Sequence, residues 1–184
     1  PGMKLFSAAA RELGPLPFIA EDLGQMDAGV LRLLRRSGFP GMKILQFAFD
    51  GNPDNPYLPH NIPQNSVCYT GTHDNDTSLG FMNSLPADEF ARVKARLRAA
   101  MRTMGLEGRI VGRASAVKAL RSICWASAAS LAVVPVQDLL SLGGEARMNT
   151  PAVGEGNWRF RLWRALPASL AAQLREELAS CGRI

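Results

Sequence analysis

Cysteine and histidine are scarce in this 184-residue sequence: Cys68, Cys124 and Cys181 of one, His60 and His73 of the other. An odd, widely spaced set of cysteines fits a reducing compartment such as the cytoplasm better than a disulfide framework. With no Cys-x-x-Cys and only two histidines, a Cys/His zinc cluster is excluded too. Long apolar runs are also missing. The uncharged, apolar-rich stretch Ser122 to Gln137 has 16 residues and contains Pro135, whereas a membrane span needs roughly 20 apolar residues. No basic segment followed by an apolar one opens the chain, so no secretory signal is expected. The first residue is Pro1.

What is present is enough to build a core. Hydrophobic residues make up 47% of the chain, which excludes disorder, and 17 glycines with 12 prolines spread along it exclude a coiled coil. The net charge of +5 is uneven. Between Arg92 and Arg121 stand nine basic residues and one acid (Glu107), giving +8 there and −3 elsewhere. Such a stripe is read as a solvated helix face whose stems cover apolar neighbours, with a nucleic-acid surface as the alternative. No aromatic residue is interleaved to stack on bases, so no nucleic-acid partner is expected.

Helical and extended patterns alternate. Lys4 to Leu13 sets Leu5, Phe6, Ala9 and Leu13 on one face, and Gly14, Pro15 and Pro17 stop it. Phe18-Ile19-Ala20 predicts a short strand. Asp27 caps a helix that Gly38 and Pro40 close. Met42 to Phe49 reads as a second strand, followed by a four-proline loop from Asp50 to Asn65. Ser66 to Tyr69 is a third strand, Asp88 to Met104 and Ser115 to Ala129 are helices, and Leu131 to Val136 a fourth strand. A polar loop, Gly143 to Gly156, precedes a last helix from Pro167 to Ala179.

Alternation of this kind means βαβ units and a parallel sheet, with functional side chains just past the carboxyl ends of the strands. Three of the four strands end in acids or amides: Glu21-Asp22, His73-Asp74 and Gln137-Asp138. The second ends in Gln46 and aromatic residues. Glu21 emerges from an apolar run, where burial would favour its protonated form and suit it to general acid work. It is equally readable as a loop or helix-capping acid, and Asp74 as a turn residue. Together they form a carboxylate pair of the sort that cuts glycosidic bonds. Phe47, Phe49, Tyr57, Trp158 and Trp163 could platform a sugar ring, Trp158 in its polar loop best.

Other motifs fail. Asp74-Asn75-Asp76 opens like a calcium loop but has Leu79 and Leu85 where Gly and Glu are required. No phosphate-binding Gly-x-x-x-x-Gly-Lys exists, and Gly154-Glu155-Gly156 lacks the rest of a dinucleotide fingerprint. Neither histidine has a nucleophile elbow near it. No cofactor and no metal are therefore expected.

Five segments, in order, closely resemble the 4-α-glucanotransferases, also called amylomaltases. They are Ile19-Ala-Glu-Asp-Leu-Gly24, Gly41-Met-Lys-Ile-Leu-Gln-Phe47, Asn55-Pro-Tyr-Leu-Pro-His-Asn61, Tyr69-Thr-Gly-Thr-His-Asp-Asn-Asp-Thr77 and Ala146-Arg-Met-Asn-Thr-Pro151. The resemblance implies an α/β fold of the (β/α)₈ TIM-barrel type and transfer of α-1,4-glucan segments to a 4-hydroxyl acceptor with retention. It implies Glu21 as general acid/base, Asp74 as the acid stabilising the transition state, and His73 as a sugar contact. Asn55, Tyr57, His60, Asn157 and Trp158 follow as further substrate-binding residues. The family's nucleophile, an aspartate in an Arg-x-Asp-His-x-Arg type motif, has no counterpart here. A whole barrel needs roughly 250 residues, so residues 1–184 are expected to be a single partial domain. It would be the C-terminal half of the barrel, strands five to eight. Its partners would be α-1,4-glucans, maltooligosaccharides and the missing N-terminal half. A non-catalytic glycan-binding or docking half-barrel is the alternative.

Overall fold

A computed structural model describes residues 2–184. Helix α1 (Gly2–Leu13) runs into a turn and then α2 (Ala28–Ser37). Asp27 caps α2, its Oδ1 accepting from the N–H groups of Gly29 and Val30, and Gly38 closes it at φ 70°. That left-handed conformation costs a glycine nothing. Strand β1 (Gly41–Ile44) follows, then a 3₁₀ turn at Leu45–Phe47. The proline loop holds one more such turn, Pro59–Asn61, and leads into β2 (Ser66–Tyr69). Three helices, α3 (Ser78–Ser84), α4 (Ala87–Thr103) and α5 (Arg113–Ala126), connect β2 to β3 (Leu131–Val133). A short helix α6 (Val136–Leu139) and, after the late loop, α7 (Ala168–Ser180) complete the chain.

The sheet is parallel in the order β1-β2-β3, and an isolated parallel bridge from Ala20 to Gly41 extends it on the β1 side. Strand order thus follows chain order with no reversal. Register places Lys43, Cys68 and Ala132 side by side on one face, and Met42 with Val67, and Ile44 with Tyr69, on the other. Cys68 and Ala132 pack with Leu97, Met101, Leu120, Ile123 and Cys124 of the helices, which form the main core. Met42, Tyr69 and Val133 of the opposite face line a cleft instead.

Several expectations need correction. The first strand is only the bridge at Ala20, because Gly41 is the sole strand residue beside it. The second stops at Ile44 rather than Phe49. Its partner β2 ends at Tyr69, and Gln46 then turns to bond the Thr70 carbonyl with its N–H (3.2 Å) and the Asp76 carbonyl with its Nε2 (2.9 Å). The fourth ends at Val133, and Gln137 and Asp138 sit on α6, not at a strand end. The apolar face drawn on α1 is not buried, since Leu5 and Leu13 are exposed.

Helix α3 had no sequence signal. Ser78, Gly80, Asn83 and Ser84 are poor helix formers. It exists because Thr77 caps Gly80 N–H (3.0 Å) and Asp138 accepts from Ser78 N–H and Oγ (both 2.7 Å). Gly80 is required there, because a Cβ would strike the Asp76 carboxylate.

The basic stretch is mostly committed to the protein itself. Arg96 donates to the Phe49 carbonyl, Arg98 to Ile110, Lys94 to Val111 and Arg113 to Leu85. Arg92 pairs with Asp88 and Arg121 with Glu177. No helix among the described residues is long and apolar enough to cross a membrane.

Candidate active site

At the carboxyl ends of the strands lies an open cleft of about 570 Å³, lined by Glu21, Phe47, Tyr69, His73 and Asp74 among others. Two of its lining residues are acids, Glu21 and Asp74. Backbone alternation separates Glu21 from its neighbour. Glu21 faces the cleft, while Asp22 turns away to accept from Met42 N–H (2.6 Å) and to meet Lys43 Nζ at 3.5 Å. A Cβ at Gly41 would lie 2.6 Å from the Asp22 carboxylate, so only glycine fits. Glu21 itself is exposed; the residues present do not supply the burial expected of it.

Asp74 is held from both sides. Asn149 donates Nδ2 to Asp74 Oδ1 at 2.5 Å, and His73 Nε2 stands 3.3 Å from the same oxygen. Arg147 donates Nη2 to the Asp74 carbonyl (2.7 Å) and Nε to the Asn149 carbonyl (2.8 Å). Asn149 N–H adds a bond to the His73 carbonyl (3.1 Å). The turn-forming side chain in this segment is that of Asn75, which accepts from Thr72 N–H and Oγ1. Asp74 is thereby released from local turn work and aimed into the cleft, where a fixed carboxylate stabilises positive charge.

A second, smaller recess of about 260 Å³ adjoins the cleft and shares Gly71, Thr72 and His73 with it. Trp158 lines it, tilted over His73 with ring centroids 5.2 Å apart. Trp158 sits at φ 62°, a conformation costly for a bulky residue. Its N–H bond to the Met148 carbonyl (2.7 Å) holds it there.

The remaining sequence candidates lie elsewhere. The amide of Asn157 braces its own loop, accepting from Thr150 N–H and donating to the Thr150 and Val153 carbonyls. Asn55 is buried, donating to the Phe47 carbonyl and accepting from Tyr57 N–H. Tyr57 packs edge-on against Phe47, behind the cleft wall. Burial, with the Asp22 charge second, raises its hydroxyl above the ordinary value. His60 lines a separate groove with Phe49 and Arg96. Asp138, one of the strand-end candidates, is fully buried with donors from Thr70 and Ser78 around it. Sequence reasoning missed Arg147 and Asn149 as individuals, although both lie in a quoted motif. Nothing local signals that they reach a residue more than 70 positions away.

No group of three or more potential metal ligands occurs among the described residues. The arrangement defines an α/β protein whose polar cleft, two carboxylates and aromatic wall stand at the carboxyl ends of parallel strands.

The family model described as 4-alpha-glucanotransferase matches residues 1–166. A 4-alpha-glucanotransferase of Thermus thermophilus is 45% identical over 175 residues, covering 94% of this chain and 33% of its own. The chloroplastic/amyloplastic 4-alpha-glucanotransferase of Solanum tuberosum is 40% identical over 192 residues, covering 100% of this chain and 31% of its own. The solved amylomaltase of Streptococcus agalactiae, in complex with acarbose, superposes with a TM-score of 0.83 at 33% identity, covering 100% of this chain and 35% of that one. The chain belongs to the 4-alpha-glucanotransferase family, whose fold is of the TIM-barrel type. It spans about a third of the length of these relatives.

Proposed function

We propose that this chain forms part of the catalytic domain of an enzyme that transfers α-1,4-glucan segments to a 4-hydroxyl acceptor with retention. The observation that carries the reading is the presence of Glu21 and Asp74, 53 positions apart, on the walls of one cleft. Glu21 protonates the departing glycosidic oxygen and then removes the proton from the acceptor hydroxyl. Asp74, fixed by Asn149 and Arg147, sets its charge against the oxocarbenium-like transition state. His73 and Trp158 contact the sugar.

A retaining mechanism also needs a nucleophilic carboxylate about 5–5.5 Å from the acid/base. Asp22 is occupied by Met42 and Lys43, and Asp76 accepts from Thr77 N–H. The nucleophile then belongs to a part of the enzyme beyond these residues. The monotonic strand order supports reading the sheet as the last four staves of the barrel. The exposure of Glu21 favours the second reading for the chain by itself, a glycan-binding half-barrel without turnover.

Substituting Glu21→Gln in the intact enzyme tests the assignment. Turnover of maltotriose should fall by roughly 10²- to 10⁴-fold while maltooligosaccharide binding persists. A variant that keeps more than about a tenth of the parent rate would place the acid elsewhere.

A further inference from the structure

Asp22 is a charged residue for which the proposed mechanism has no use, yet its side chain is only 8% exposed and that of its partner Lys43 16%. Each carboxylate oxygen has a contact on β1: Oδ1 accepts from Met42 N–H at 2.6 Å, and Oδ2 meets Lys43 Nζ at 3.5 Å. A Cβ at Gly41 would lie 2.6 Å from Oδ2 and 2.9 Å from Oδ1, so the carboxylate sits directly on the β1 backbone. Gly41 does not adopt a positive φ; what glycine supplies there is room for this carboxylate. Behind the pair, Lys43 Nζ stands 5.6 Å from the centre of the Tyr57 ring, which meets Phe47 of the cleft wall edge-on at 5.5 Å.

Glu21 stands between two ties to β1. Before it, Ala20 bridges Gly41 in parallel and donates its N–H to the Pro40 carbonyl (2.9 Å). After it comes the Asp22 side chain on Met42, and the chain then leaves the sheet for a loop in which Gly24 takes φ 87°. Glu21 is exposed, so the described residues set its direction through the backbone on either side. Successive side chains of extended backbone point to opposite faces. Seating Asp22 behind the cleft wall therefore obliges Glu21 to face the cleft. Releasing Asp22 frees the chain to rotate and lets the Glu21 carboxyl swing away. A general acid must lie within about 2.6–3.2 Å of the atom it protonates, and a misplacement of about 1 Å costs roughly 10²-fold.

We propose that Asp22, seated by Met42 and Lys43, is the positioning residue for Glu21 in glucan transfer, a role that rests on the reading of Glu21 as general acid/base. Asp22 touches no substrate and exchanges no proton. A carboxylate suits the task because its bond from a backbone N–H is charge-assisted, hence short and strong. Lys43 supplies the opposite charge without which a buried carboxylate would be destabilising. The role has a chemical signature. Glu21 protonates the leaving sugar oxygen, whereas fluoride departs from a glycosyl fluoride with little need of a proton. Loss of Asp22 should therefore slow the first donor far more than the second.

Single-turnover kinetics of the intact enzyme test this, with glucose release from maltotriose and fluoride release from α-maltosyl fluoride reporting the first glycosyl transfer. In Asp22→Ala the maltotriose rate should fall roughly 10²-fold, with the half-saturating donor concentration unchanged and fluoride release far less affected. Gly41→Ala pushes on the same carboxylate from the other side and should show the same split, which keeps the test decisive if Asp22→Ala fails to fold. Asp22→Asn combined with Lys43→Met keeps an acceptor for Met42 N–H and leaves no charge unpaired; it should recover most of the lost rate. An unchanged maltotriose rate, an equal loss with both donors, a loss confined to the half-saturating concentration, or a double variant as impaired as Asp22→Ala would each overturn the proposal. Glu21→Gln, run beside these, should also lose maltotriose and spare the fluoride. If it does so while Asp22→Ala behaves like the parent, the positioning role alone fails. If Glu21→Gln keeps the maltotriose rate, the reading of Glu21 fails and the role of Asp22 falls with it.

Discussion

Replacing Asn149 by Ala removes the 2.5 Å hydrogen bond to Asp74 Oδ1 and little else. The backbone bond from Asn149 N–H to the His73 carbonyl survives, as do both Arg147 contacts to this region. Asp74 is about half exposed, so its lost partner is replaced by water without a buried orphan. A hydrogen bond to a charged group contributes about 1.5–3 kcal/mol. If that contribution is spent on keeping the carboxylate where positive charge develops, kcat/KM falls by roughly 10- to 150-fold, at about 1.4 kcal/mol per tenfold. The loss should appear in kcat with KM nearly unchanged, because the interaction matters in the transition state more than in the bound ground state. Asn149→Asp should do worse, since it sets a like charge against Asp74. The assay is glucose release and chain redistribution from maltotriose by the intact enzyme, with urea midpoints confirming unchanged stability. Activity within about twofold of the parent, or a loss confined to KM, would refute the positioning role of Asn149.

Three further outcomes are expected. Asp138→Ala should destabilise the chain by several kcal/mol, read as a lower urea midpoint, because Thr70 Oγ1, Ser78 Oγ and Ser78 N–H all lose their buried acceptor at about 1–3 kcal/mol each. Asp88, at the start of α4, is held below the ordinary carboxylate range by its bond to Arg92. Its small stabilising effect is complete above about pH 4 and fades as pH falls through the lowered value; NMR titration should show that value rise in Arg92→Ala. Labelled DNA and RNA should not bind at low salt, because Arg92, Lys94, Arg96, Arg98, Arg113 and Arg121 already serve internal acceptors. Micromolar, salt-sensitive binding would contradict this.

The sequence by itself determined whatever depends on neighbours in the chain. The Asp27 cap and Gly38 terminator delimit α2 because capping is a local exchange of hydrogen bonds. The span Ser66 to Tyr69 matches β2 residue for residue, and the helix expected over Asp88 to Met104 agrees with α4 to within one residue at each end. The order of the quoted segments was enough to indicate the family, and the strand-end pattern pointed to Glu21 and Asp74. Tertiary structure alone decided where local preference is weak or outbid. Helix α3 needs Asp138 from 60 residues away, and β1 ends early because its neighbour does. Asn157, Asn55 and Asn149 look alike as loop amides, yet two brace backbone and one grips the candidate acid. Side-chain type states what bonds a residue can make. Which partner it meets depends on how distant segments pack, and no periodicity in the sequence carries that information.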